Sequence, residues 1–366
     1  SIDDTAVIEG LVWLVAAVLW ARSPAPLGFT APGPFPPNNE IYPLADAMRY
    51  DLASQFALIG QGLDNGRFYY RAFYEGFLFL LHGLVGQEYG RMMVAQAAIF
   101  AVFPAVVYLL GKSLWNRSLG ILAGCIVLFT GLNSMPASEL VSLANPKQML
   151  TDFPTAIGVA GFTVLTVLWL KRPERISLLF WAAGVLGVST LVRTSSLGLL
   201  PLLMVAIWVY ARPSWTGKFL LSVLTVVIFL MGALPWSTWH GRPVLDMYSI
   251  KIKTVLYSRF RSSLPVDLGG KPGAVDNPEP PPELQPNQRR VSVVEAVANH
   301  FMHNLSTSVL TMPPGPVFHD LQNMVKDVYP YWDPEWDGSL NVGAGLFIAL
   351  NLAVLALGMG VAFRLS

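Results

Sequence analysis

Cysteine occurs once in this sequence, at Cys125 inside the apolar run 119–129, so neither an intrachain disulfide nor a multi-thiolate metal site can form. Charge is almost as scarce. Only 13% of the 366 residues are Asp, Glu, Lys or Arg, against about 25% in an ordinary soluble domain. A soluble fold of this length would lack the charges to coat its surface. Neither sign dominates: 24 Lys and Arg oppose 23 Asp and Glu, and a net charge of +1 leaves no footprint for nucleic acid. What remains is apolar. With 53% hydrophobic and 12% aromatic residues and a mean hydropathy of +0.49, the composition is that of a polytopic membrane protein.

Continuous apolar stretches fall at about 6–22, 92–111, 118–134, 153–170, 176–192, 195–211, 217–235 and 341–363. A helix crossing the hydrocarbon needs ~20 residues, because unpaired backbone amides are prohibitive there. Eight spans are therefore expected, in an all-α polytopic membrane bundle. The first stretch has the length of a signal-peptide core, but Asp3, Asp4 and Glu9 stand where a basic flank would be, so it reads as a retained span. Alternate connections then fall into two sets. The short ones, near 112–117, 171–175 and 212–218, together with Arg364, carry eight basic residues against the single acid Glu174. The long ones, about 23–91, 135–152 and 236–340 with the tight turn at Arg193, carry sixteen basic residues, counting Arg22 at the edge of the first, against nineteen acids. Basic short loops mark the cytoplasm, which places both termini there despite the acidic N-terminus. The chain divides into a membrane module over 1–235, an outer loop region over 236–340 and a last span over 341–366.

The long outer segments are chemically varied. Residues 23–39 are proline-rich and irregular, whereas 45–59 carry a helical stripe of Leu44, Met48, Leu52, Phe56 and Ile59, with Arg49, Asp51 and Gln55 away from it. Residues 73–85 are apolar but too short for a confident span. Both segments suit the membrane surface, as a lid or rim over a cavity. The 278–286 stretch is Pro-rich, flanked by short helices expected at 243–260 and 291–311. Tyr329, Tyr331, Trp332 and Trp336 form an interface belt before the last span.

Several polar residues carry both a plain and a chemical reading. Asp46 and Tyr50 share a helical face, and Asp51 points elsewhere; Asp46 either favours the helix N-terminus or serves as a general base at a cavity mouth. Asp152, two residues before Pro154, is an N-cap or a second carboxylate converging on the same cavity. Two such carboxylates can orient an acceptor or hold a divalent ion. Arg193 is an interfacial anchor or an anion ligand, and Arg67, Arg71, Arg91 and Lys147 lie on the same side to join it in binding phosphate. Glu75 and His82 are two helical turns apart and can share a face. The His300–His303 pair is a weak zinc signal, and Asp333, Glu335 and Asp337 read as a solvated turn. Asn304-Leu305-Ser306 is a glycosylation acceptor only if the outside is an organellar lumen.

The order of short motifs resembles the GT-C superfamily of polytopic glycosyltransferases, in its protein mannosyltransferase and aminoarabinose-transferase-like branch (glycosyltransferase family 39-like). After one span and a long outer loop come Asp46-Ala47, Tyr50, Ala53 and Gly60, then Arg71-Ala72-Phe73-Tyr74-Glu75-Gly76. Gln96, Thr151-Asp152, Leu191-Val192-Arg193 and Pro235-Trp236 continue the order over about 6–245.

The resemblance implies a GT-C-like bundle in a membrane, most simply the bacterial cytoplasmic membrane, with its active face outward toward the cell envelope. It implies transfer of a sugar from a polyprenyl-phosphate donor to a lipid, glycan or protein acceptor, with inversion. Asp46 matches the acidic residue that acts at the acceptor, Asp152 a second acidic position where relatives often carry Glu, and Arg193 a recurring basic position. It leaves open which of Arg67, Arg71, Arg91 and Lys147 binds donor phosphate, whether Tyr50, Glu75 and His82 line the cavity, and whether a divalent ion takes part. Several relatives continue beyond the equivalent of the last span. A GT-C-like assembly subunit with protein partners and no activity, or a lipid or solute transporter, are the alternative functions.

Overall fold

The computed structural model describes residues 4–63 (except 26, 29, 32, 35, 36 and 38), 71–138 and 144–239, with a few helical positions between 249 and 357. The described residues form an all-α bundle without a sheet: α1 Asp4–Arg22, α2 Asp46–Leu58, α3 Ala72–Val85, α4 Tyr89–Phe100, α5 Val102–Leu114, α6 Arg117–Ala137, α7 Asp152–Lys171, α8 Ile176–Val192, a 3-10 turn Thr194–Gly198, α9 Leu199–Tyr210 and α10 Trp215–Trp239. The Pro-rich 278–286 stretch, the flanking helices, His300, His303, the acidic group near 335 and most of 341–363 lie outside the described residues.

Among the described residues five helical stretches are long and apolar enough to cross a bilayer: Thr5–Arg22, Tyr89–Leu114, Arg117–Ala137, Asp152–Lys171 and Trp215–Gly232. The protein is thus an integral, largely helical membrane protein, with five such stretches among the described residues, which leave out most of the eighth apolar run at 341–363. Ile176–Val192 and Thr194–Tyr210 are apolar but shorter. At 17 residues α8 rises about 25 Å, less than the ~30 Å of hydrocarbon. The stretch Tyr89–Leu114 is interrupted at Ala101, where α4 ends and α5 begins. Pro104 explains the break, since it has no N–H for the Phe100 carbonyl one turn earlier.

Helix polarity sorts the charges. Lys112 donates to the Thr5 hydroxyl and Lys171 to the Ser113 carbonyl, joining the start of α1 to the ends of α5 and α7. Lys218 in α10 donates to the Trp208 carbonyl near the end of α9 at 2.8 Å. Basic side chains thus tie off exposed carbonyls, which helix C-termini leave without intrahelical donors. The opposite end gathers the end of α1, the helices α2 and α3, the start of α4, the segment 144–151, the start of α7 and the end of α8.

Two apolar cores fill the bundle. The first centres on an aromatic column: Tyr50 meets Tyr74 edge-on at 5.7 Å, Tyr74 stacks on Phe77 at 6.0 Å, Phe77 on Phe100 at 5.3 Å and Phe100 on Phe153 at 5.7 Å. The second, around Trp169, Leu186, Ile207 and Phe229, joins α7 through α10. Lipid tails are as apolar as leucine, so helix association relies on close contact, and small residues permit it. A Cβ added to Gly111 of α5 would lie 2.9 Å from the Gly120 Cα of α6. In α8, a Cβ at Gly187 would be driven into the Phe229 carbonyl of α10, while one at Gly232 would lie 2.9 Å from the Gly187 carbonyl carbon.

This contact predicts that Gly187→Leu lowers the thermal midpoint of the purified protein sharply, by the ~1–3 kcal/mol of overpacking or more. Gly10→Ala, where an added Cβ meets nothing within 4 Å, should leave it unchanged or slightly raised. Detergent size-exclusion thermal scans measure both, and equal midpoints for the two variants would refute the tight α8–α10 seam.

Candidate functional site

The helix α2 lies with its apolar stripe outward. Met48 and Leu52 are exposed, while Ala47, Tyr50, Asp51, Ala53 and Ser54 are buried against the bundle. In water that orientation would be inverted; beside lipid it is the arrangement an amphipathic rim adopts. Asp46 is the first helical residue, half exposed, and pairs with Arg49 at 3.4 Å. The N-cap is Ala45, so Asp46 stands inside the first turn, where its carboxylate favours the helix dipole. Ala45, just before it, has φ 55°, a left-handed conformation that costs a residue with a Cβ about 1–3 kcal/mol.

Around Asp46 the structure brings together residues from four helix ends. Arg71, the N-cap of α3, donates to the Thr151 hydroxyl at 2.9 Å, and its guanidinium carbon sits 4.8 Å from the centre of the Tyr50 ring. Thr151, and not Asp152, is the N-cap of α7, which corrects the capping reading of Asp152. Asp152 instead accepts from Arg193, the residue that ends α8. Burial pulls the Arg71 guanidinium down to about 10, helped by the positive charge of Arg193 and opposed by the nearby negative charges of Asp46 and Glu75. Glu75 is fully buried one turn into α3. Asp46, Tyr50, Arg71, Glu75, Asp152 and Arg193 therefore form one cluster, of alternating charge, at one end of the bundle.

The segment leading into α7 is tied to α4 by the Gln96 side chain. Gln96, buried in α4, donates to the carbonyls of Pro146 at 3.0 Å and Gln148 at 2.8 Å, and accepts from the Tyr74 hydroxyl at 3.1 Å. Every polar atom of that amide is engaged, as burial requires. Lys147 turns away from the cluster and donates to the carbonyls of Ala21, at 3.1 Å, and Ser23. Its ammonium is buried, which brings its pKa down to about 8. Arg91 is largely exposed and pairs with Glu88 at 2.6 Å. Both line a separate cavity between α1 and α4. Arg67 lies outside the described residues.

His82 belongs to a different group, and its partner is not Glu75. Its Nε2 lies 2.6 Å from Asp51 Oδ1 and its Nδ1 3.0 Å from the Gly86 carbonyl. The other Asp51 oxygen accepts from Tyr89 at 2.5 Å and Gln55 at 2.6 Å. A neutral imidazole has only one N–H for its two oxygen neighbours, so a proton shared between Nε2 and Asp51 Oδ1 completes a buried pair that ties α2 to α3 and α4. Sequence reading set Asp51 and Gln55 apart from the apolar stripe but assigned them no partner. Their spacing within α2 carries no sign of His82 or Tyr89, which meet them only in the fold. Among the described residues no three His, Cys, Asp or Glu side chains converge on a metal position, and Asp152 is engaged by Arg193.

The helix α3 rises only about 21 Å, too short to cross the hydrocarbon. Burial works against the His82 charge, but the Asp51 hydrogen bond, the Gly86 carbonyl and the Asp51 charge together raise its pKa. Stability from the pair is therefore complete below the ordinary value of about 6.5 and is lost as pH rises through the raised one. Wild-type protein should lose thermal stability relative to His82→Gln across that window. Lys147 shifts the opposite way but does so equally in both proteins. Parallel melting-against-pH curves would show that the imidazole does not titrate.

No family model, curated protein or solved structure matches this chain.

Proposed function

We propose that this protein is a GT-C-like glycosyltransferase that moves a sugar, with inversion, from a polyprenyl-phosphate donor to a hydroxyl of a lipid, glycan or protein acceptor at the outer membrane face. The observation that carries the reading is the convergence of Asp46, Arg71, Asp152 and Arg193 at one end of the bundle, from helices far apart in sequence. Basic side chains crowd the opposite end, which suits an outward-facing site under the positive-inside rule. A donor with a hydrocarbon tail can stay in the bilayer and present only its sugar phosphate.

In this reading the acceptor oxygen attacks the anomeric carbon while its proton passes to the Asp46 carboxylate. The bond from that carbon to the phosphate oxygen breaks with its electron pair, and polyprenyl phosphate leaves. Arg71 and Arg193 hold the departing phosphate, for which a planar, multidentate donor is well suited. Asp152 orients Arg193, Thr151 orients Arg71, and Tyr50 stacks beneath the Arg71 guanidinium. No step runs through a metal.

The Arg193–Asp152 ion pair gives a purely structural reading an observation of its own, since it also fastens α7 to α8. Purified protein incubated with a panel of polyprenyl-phosphate sugars and acceptors, followed by mass analysis of products, separates the two. Asp46→Asn should cut transfer about 10²–10⁴-fold with no change in thermal midpoint, because Asp46 is half exposed. Arg71→Lys should also lose most activity despite keeping its charge. Wild-type protein inactive across the whole panel, or Asp46→Asn as active as wild type, would overturn the catalytic reading in favour of a scaffold.

A further inference from the structure

The cavity between α1 and α4 is chemically unlike the acid-base cluster. It is an open groove of about 770 Å³. Its walls near the helix ends carry Lys147, Arg91 and Glu88 beside Leu84 and Val85, while Met93, Val94 and Ala98 continue along α4. From Gly90 to Ala98 helix α4 descends about 12 Å, the depth of a headgroup and the upper part of an acyl chain. The charged groups are thus confined to one end of an apolar groove. That is the polarity of an amphiphile, not of a soluble ion.

The charge at the head is also specific. Glu88 is matched by Arg91 at 2.6 Å through the Arg91 Nε, which leaves the two terminal guanidinium nitrogens to donate elsewhere. Lys147 has three N–H donors, and the carbonyls of Ala21 and Ser23 take two of them. Two cations and one acid leave one surplus positive charge, which complements a phosphodiester with a single negative charge. A buried ammonium at the wall of an open cavity is poorly solvated by its own carbonyl partners, and an anion restores what burial removes.

We propose that this groove is a binding site for an anionic phospholipid of the surrounding membrane, its phosphate at Lys147 and Arg91 and one acyl chain along α4. The proposal stands apart from sugar transfer and survives its failure, because the site uses none of Asp46, Arg71, Asp152 or Arg193. Native mass spectrometry of the delipidated full chain, titrated in detergent with phosphatidylglycerol or phosphatidylcholine of equal chain length, tests it. Phosphatidylglycerol adducts should exceed phosphatidylcholine adducts roughly fivefold or more. Arg91→Gln, at a 70% exposed side chain, should remove most of that preference without affecting folding. Val94→Trp, at a 41% exposed position on the groove wall, should fill the groove and abolish the retained lipid while the protein elutes as wild type. Millimolar inorganic phosphate should leave the adducts intact, since the chain contributes to binding. Equal retention of the two lipids by wild type, a full complement of phosphatidylglycerol on Arg91→Gln or Val94→Trp, or displacement by inorganic phosphate would each overturn the assignment.

Discussion

Hydrocarbon solvates neither a loose backbone amide nor a lone charge, and the rest of this structure follows from that constraint. The chain has few charges, and the described ones are spent at helix ends or in bonds to one another. On one side of the bundle, where Lys112 bonds the Thr5 hydroxyl, Lys171 and Lys218 close carbonyls at or near helix ends. On the other side Lys147 does the same for α1, and Arg193 meets Asp152. Inside, Gln96 is fully engaged and Asp51 faces three donors. Close helix approach at glycine supplies the cohesion that water would supply to a soluble core.

The helix α2 connects these solutions. One face carries Asp46 toward the charged cluster, a second carries Asp51 into the bundle, and a third offers Met48 and Leu52 to lipid. The His82–Asp51 pair holds it from within, and the aromatic column beginning at Tyr50 supports it from below. Its position is over-determined on the buried side, which is the condition under which a strained residue such as Ala45 persists.

Apolar run lengths make the membrane character and most helix positions readable in the sequence; α2 and α3 fall within a residue of the periodic segment at 45–59 and the apolar segment at 73–85. Run length cannot register a proline break at Ala101, nor distinguish a crossing helix from the shorter α8 and α9. The acid-base cluster was half legible. Asp46, Asp152 and Arg193 stand out as charges flanking apolar runs, but their convergence depends on how helix ends meet. The basic residues show the limit most clearly: Arg71, Arg91 and Lys147 share a side by parity, yet Arg71 faces the cluster while the other two face a groove. Asp51 was placed off the apolar stripe, where a soluble helix would expose it. Beside lipid, that flank is the one that turns inward.

Charge conservation gives the cluster a further rationale. Arg49, Arg71 and Arg193 stand against Asp46, Glu75 and Asp152, three cations with three acids at a surface that borders hydrocarbon. A glycosyl phosphodiester brings one negative charge, and the proposed transfer releases a phosphate monoester that carries a second. The acceptor's proton, taken by Asp46, removes one negative charge from the protein at the same moment. The summed charge of site and substrates is then the same before and after the step, so no net charge is created beside lipid, where it would be most costly. A base such as lysine, neutral before and positive after, would gain charge where Asp46 loses it, but would have to begin unprotonated. A carboxylate is already in its basic form at neutral pH, and for that reason the chemistry suits Asp46 better than any of the cations around it.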